Sequence, residues 1–314
     1  MKRILSVCLL LTVALSGVLA GCMYKERDAL EDGQLSIVTT IFPIYDWAQH
    51  IAGRHAKVTL LLDRGVDMHS FQPSAKDIIK LTSANLFIFI GGASDQWVKD
   101  ALKGSTDPLR ELNLMETLGD QAKLEEIVEG MQAEKDAEEA EYDEHIWLSP
   151  RIAASLCQSI CDRLCEIDAE HAADYRINAA DYITELIGLD ASYRAAVNDA
   201  QVKTLLFGDR FPFRYLTEEY GLTYYAAFAG CSAESEASFQ TIAFLAKKVD
   251  ELDLHAIMQI ETSNGSIAKT IRDTTAKKDQ QILTLNSMQS VKDKKSSYLS
   301  IMRENLEVLR QALR

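Results

Sequence analysis

Two α/β lobes on central parallel sheets, joined by one long helix, are the architecture this 314-residue sequence predicts. Three observations lead there. Unbroken apolar runs alternate with amphipathic helix patterns, as in strands of a parallel sheet covered on both faces. About 30 residues, 169–200, then run without proline and carry Tyr175, Ala179, Tyr182, Leu186 and Leu189 at helical spacing. After that helix the alternation starts again.

The elements follow in order. Lys2 and Arg3 precede a short apolar run at 4–15, and Leu19-Ala20-Gly21-Cys22 places small residues directly before a cysteine. This fits a bacterial lipobox, with residues 1–21 a signal peptide and Cys22 the lipidation site. The stretch 22–34 is charged, lacks apolar periodicity and reads as a tether. The first lobe, 35–167, begins with a strand at 35–42, a helix at 43–53 and a strand at 58–62. Ser74 then caps a helix carrying Ile78, Ile79 and Leu81, and a strand follows at 86–90. A helix at 150–165 closes this lobe. The connecting helix occupies 168–200. The second lobe, 201–314, reads as strands at 203–207, 223–228, 256–260 and 281–285. Helices at 213–220, 238–250, 266–276 and 298–313 alternate with them.

The net charge is −14, and loss of the two basic residues of the signal peptide takes it to −16. Such a chain repels nucleic acid and anionic membranes and attracts cations. An acidic loop is expected at 120–144; from 125 to 144 there are ten acids and one lysine. It reads equally as a solvated surface segment or as a low-affinity cation funnel. No G-x-G-x-x-G, Walker loop, G-x-S-x-G or C-x-x-C is present. Of six cysteines, Cys157, Cys161 and Cys165 form a helical stripe flanked by Leu156, Ile160 and Leu164, the pattern of a buried small-residue face. Cys231 follows Gly230 in a loop, and no disulfide network is indicated.

The chemistry concentrates in two matching frames. Asp67-Met68-His69 is followed by Pro73, and Asp143-Glu144-His145 by Pro150. An imidazole with a carboxylate two residues away, presented from a loop, suits a divalent metal site. A zinc hydrolase with Glu144 as base is a rival reading, but H-E-x-x-H and a third histidine in a comparable frame are both missing.

Lipobox, paired histidine motifs with Asp77 and Trp147, long helix and second lobe together resemble the metal-binding lipoproteins of ABC importers, the zinc and manganese uptake class (TroA-like, ZnuA-like). The resemblance covers the chain from Cys22 to Arg314. It implies a monomeric receptor anchored outside the membrane. Such a receptor holds a divalent metal between its lobes and delivers it to a permease. His69 and His145 would come from the first lobe. The second lobe departs from the family pattern. Counted back from Tyr220-Gly221-Leu222, the usual ligand position holds Arg210, which cannot ligate a cation. Asp209 is the expected replacement, with Glu261 and Asn286 in reserve. A branch with the same Gly-Asp-Arg-Phe-Pro-Phe-Arg-Tyr run has histidines in its last loop, where this chain reads Asn286-Ser287-Met288-Gln289. Zinc is the expected metal on imidazole content and manganese the competitor. A degenerate member with weakened binding is the alternative.

Overall fold

The computed structural model describes residues 33–62, 66–103, 110–132, 141–232, 236–291 and 295–314. The expected signal peptide, lipobox and most of the expected tether lie outside them, as does the middle of the acidic segment. Each lobe carries a four-stranded, fully parallel sheet. In chain order the first contains β1 (Leu35–Thr39), α1 (Phe42–Ala52), β2 (Ala56–Leu60), α2 (Ala75–Ser83), β3 (Leu86–Phe89), α3 (Trp97–Ala101), β4 (Glu111–Asn113), α4 (Leu114–Leu118) and α5 (Pro150–Ile167). Its strand order is β2-β1-β3-β4.

After α6 (Ala172–Asn198) come β5 (Thr204–Phe211), α7 (Arg214–Tyr220), β6 (Thr223–Ala229), α8 (Phe239–Glu251), β7 (Ala256–Ile260), α9 (Ser266–Thr274), β8 (Gln281–Leu285) and α10 (Tyr298–Ala312). The second sheet repeats the layout in the order β6-β5-β7-β8. In each sheet the chain steps to one side of its first strand, then to the other. That reversal opens a crevice beyond the carboxyl ends of the central strands, where ligands of such sheets bind.

The sequence order produces this layout for local reasons. β3 is wholly apolar and fully buried, as a strand covered on both faces must be. Ser74 and Asp77 form a reciprocal capping box that starts α2. In α6 the buried residues are Tyr175, Ala179, Tyr182, Leu186, Leu189, Tyr193 and Val197, with Ala172 before them, a single stripe at steps of three and four. That stripe packs on α1 and α5 of the first lobe and on α7 and α10 of the second. Hydrogen bonds fasten it at two points, mid-helix and near its C-terminus: Tyr182 Oη donates to Asp46 Oδ2 (2.8 Å) and Tyr193 Oη to the Met302 carbonyl (2.7 Å).

Three features differ from the sequence reading. β4 adds a fourth strand only three residues long, of which Leu112 alone is buried. β5 continues to Phe211 through a register shift between Phe207 and Arg210, so Asp209 and Arg210 sit inside an irregular strand and not beyond it. The base of the acidic segment is ordered: Leu124 bridges Tyr142, and the Glu125 amide donates to the Glu141 carbonyl at 2.7 Å. Cys157 and Cys161 face the core of α5. No described helix is long and apolar enough to cross a membrane.

Candidate metal centre

His69 and His145, 76 positions apart, meet with their Nε2 atoms 3.3 Å from each other. His69 lies in a single turn of 3-10 helix after β2, and His145 immediately precedes another that leads into α5. The two Asp-x-His frames share one device. Asp67 Oδ1 accepts the His69 amide (3.0 Å) and Asp143 Oδ1 accepts the His145 amide (2.9 Å), which fixes each loop.

They differ at the ring. Asp143 Oδ1 also holds His145 Nδ1 at 2.8 Å, so Nδ1 keeps its proton and the Nε2 lone pair points inward. His69 Nδ1 instead pairs with Ser94 Oγ at 2.9 Å. Asp67 spends its second oxygen on Arg210 Nη2 (2.8 Å), an ion pair reaching from the first lobe to β5.

The surroundings are electronegative. His145 is fully buried. Burial alone would lower its pKa, but the Asp143 charge and hydrogen bond, then Glu144 and Glu125, outweigh it and the value rises. His69 falls to about 3 through burial and the neighbouring His145. Glu144 is lifted to about 7, chiefly by burial; its Oε1 accepts the Ser94 amide at 2.7 Å and its Oε2 is buried without a partner. The Asp67 carboxyl works against its burial and stays below its ordinary range because Arg210 donates to it.

Of the second-lobe candidates, Asp209 lines the mouth of a cleft of about 340 Å³ together with Asp67, His69 and Arg210. Its oxygens accept the amides of Arg210 (2.8 Å) and Ile260 (3.3 Å). Glu261 grips Ser287 through its amide and hydroxyl (2.7 and 2.9 Å). Asn286 Oδ1 accepts the Met288 amide, and the Asn286 backbone is held by Asn305. All three therefore shape the loops around the histidine pair.

Two other residues reach the pair from the second lobe. The ligand-type atoms of His69, His145 and Cys231 all lie within 4.8 Å of one another, the one such His, Cys and carboxylate group among the described residues. Cys231 sits two positions past β6, and its amide donates to Glu125 Oε1 at 2.9 Å. Gly230 makes the approach possible: a Cβ there would stand 3.0–3.1 Å from the His145 ring and 2.9 Å from the Phe211 carbonyl. Gln289, four positions past β8, brings its amide nitrogen to 3.2 Å from His69 Nε2 and still closer to His145 Nε2. Its loop is anchored by Trp147, whose indole donates to the Ser287 carbonyl (2.8 Å). The sequence signals for both were faint, a Gly-Cys pair and a glutamine where a related branch has histidine.

Such a chain is a two-lobed α/β protein with a histidine pair in the crevice between its sheets. Known proteins share this fold. The family described as "ZnuA: Zinc-uptake complex component A periplasmic" matches residues 37–312, and the chain belongs to that family. The zinc-binding lipoprotein AdcA of Streptococcus pneumoniae serotype 4 is 30% identical over 310 residues, covering 98% of this chain and 59% of AdcA. The high-affinity zinc uptake system protein ZnuA of Bacillus subtilis is 28% identical over 288 residues, 89% of this chain and 88% of ZnuA. Against the AdcA relatives the chain spans about three fifths of their length. Among solved structures, the Zn(II)-bound ZnuA-like domain of S. pneumoniae AdcA superimposes with a TM-score of 0.72 at 28% identity, covering 90% of this chain and 99% of that domain. The lipoprotein YcdH of B. subtilis gives 0.72 at 26%, with 90% and 100% covered.

Proposed function

We propose that this protein captures zinc outside the cytoplasmic membrane and delivers it to the permease of an ABC importer, as a monomer tethered by lipid on Cys22. The observation that carries this reading is the meeting of two inward-facing imidazole nitrogens, 3.3 Å apart. A tetrahedral zinc with Zn–N bonds of about 2.0–2.1 Å has an edge of roughly 3.3–3.4 Å, so the spacing fits two ligands of one ion. The Zn(II)-bound relatives and the family description support it from a separate direction. The buried carboxylates behind the pair favour a cation in the crevice. Transport and not catalysis is the proposed role: Glu144, the candidate base of a hydrolase, is turned to the Ser94 amide and is fully buried.

Replacing His69 and His145 together by alanine is expected to abolish tight zinc binding in calorimetry while the far-ultraviolet circular dichroism stays native. Zinc affinity equal to that of the unaltered protein overturns the site.

A further inference from the structure

We infer that Cys231 Sγ and the carboxamide oxygen of Gln289 complete the shell begun by His69 and His145. The cargo site is then a two-nitrogen, one-sulfur, one-oxygen tetrahedron that selects zinc-class ions over manganese. This inference rests on the zinc-capture reading and names the donors that reading leaves open.

The sulfur comes first. Cys231 Sγ lies within 4.8 Å of both imidazole nitrogens. With Zn–S of about 2.3 Å the sulfur-to-nitrogen edge of a tetrahedron is roughly 3.6 Å, so a side-chain adjustment of about 1 Å brings it into place. Gly230 lets the backbone pass directly against the His145 ring, and Glu125 pins the Cys231 amide. On coordination the thiol releases its proton to solvent and binds as thiolate.

Gln289 supplies the independent observation. It is 3% exposed, its amide nitrogen abuts both Nε2 atoms, and its Oε1 is buried with no hydrogen-bond partner. Both imidazoles use Nδ1 elsewhere, on Asp143 and Ser94. A half-turn of the carboxamide exchanges its oxygen and nitrogen and aims the oxygen at the point where the two lone pairs converge. A cation there satisfies a buried oxygen that otherwise has no hydrogen-bond partner. The other oxygens nearby already accept hydrogen bonds: Asp209 from two backbone amides, Glu261 from Ser287 and Asn286 from Met288.

Ligand softness sets the selectivity. A thiolate beside two imidazoles suits zinc, cobalt and copper, whereas manganese prefers oxygen donors.

Cobalt(II) loaded into the purified protein reports the donors directly. The expected spectrum has intense tetrahedral visible bands and a near-ultraviolet sulfur-to-cobalt charge-transfer band. Cys231→Ser should keep the visible bands, lose the charge-transfer band and bind zinc at least tenfold more weakly. Gln289→Ala should keep the charge-transfer band and weaken zinc binding. Manganese in excess should not displace bound cobalt. If the unaltered protein binds zinc but shows no charge-transfer band, and Cys231→Ser binds zinc equally well, the thiolate assignment falls while zinc capture stands. If Gln289→Ala binds zinc unchanged, the oxygen assignment falls. Failure of the unaltered protein to bind zinc at all overturns the zinc reading and this inference with it.

Discussion

At the scale of single residues, the site depends on how two identical frames are put to different use. Asp143 orients an imidazole; Asp67 holds only a backbone amide and turns outward to Arg210. Nothing in the spacing Asp-x-His distinguishes the two, because the difference is decided by what the other lobe brings near. The same holds for Cys231. A thiol after a glycine becomes a ligand candidate only when a loop 86 positions downstream of His145 packs against that ring. Conversely, Asp209 carries the residue type of a ligand, yet the bulge in β5 turns both its oxygens to backbone amides. Glu144 yields a test at this scale. Burial raises it to about 7 from an ordinary 4.5. The folded chain then keeps a proton that the unfolded chain releases at lower pH. Its contribution to stability is full below about pH 4.5 and drains as pH rises towards 7. Two to three pKa units correspond to about 3 kcal/mol. Glu144→Gln, uncharged throughout, should narrow the loss in urea-measured stability between about pH 5 and pH 8 by up to that amount. An unaltered difference between the two pH values would show that Glu144 is not the group responsible.

At the scale of elements, the strands were legible as apolar runs between helix patterns, most plainly β3, which burial on both faces leaves without a polar position, and β7 and β8 span the residues their runs indicate. The long helix was legible through its one-sided stripe. β4 was not, since one buried leucine between Glu111 and Asn113 carries no period. What the stripe of α6 does not reveal is its polar fastening. Asp46 on α1 is buried, accepts from Tyr182 Oη on α6 and accepts the Tyr298 amide at the start of α10 (3.2 Å). One carboxyl thus joins helices of both lobes to the helix between them. Burial raises the Asp46 pKa despite the opposing effects of His50, Tyr182 and Tyr298. Losing a donor there leaves a buried acceptor undersatisfied. Tyr182→Phe is therefore expected to destabilise the protein by about 1–3 kcal/mol, read as a shift of the urea midpoint. Zinc affinity should be unchanged, since Asp46 and Tyr182 take no part in the histidine pair. A neutral substitution would mean that water replaces the hydroxyl and that the stripe alone holds α6.

At the scale of the whole molecule, the proposed donors come from both lobes, so the tie between the lobes near the mouth governs how long the metal stays. The Arg210 guanidinium bonds Asp67 across the crevice at 2.8 Å while also reaching the Ser232 carbonyl at 3.4 Å. The pair thus forms a clasp across the cleft that both residues line. Both side chains are mostly buried, at 14% and 24% exposure, so cutting the pair costs more than a surface ion pair and less than a fully desolvated one, about 1–2 kcal/mol. If the clasp resists opening, that energy appears in the dissociation rate. Arg210→Met should speed zinc release to a chromogenic chelator by about tenfold, as 1.4 kcal/mol implies. His69 itself stays placed, because Asp67 Oδ1 still accepts its amide. Asp67→Asn should produce a similar acceleration, and the double variant should release zinc little faster than either single one, because both changes remove the same interaction. Additive rates in the double variant would show that Arg210 and Asp67 act separately, Arg210 then mattering as a charge near the ion and not as the link between lobes.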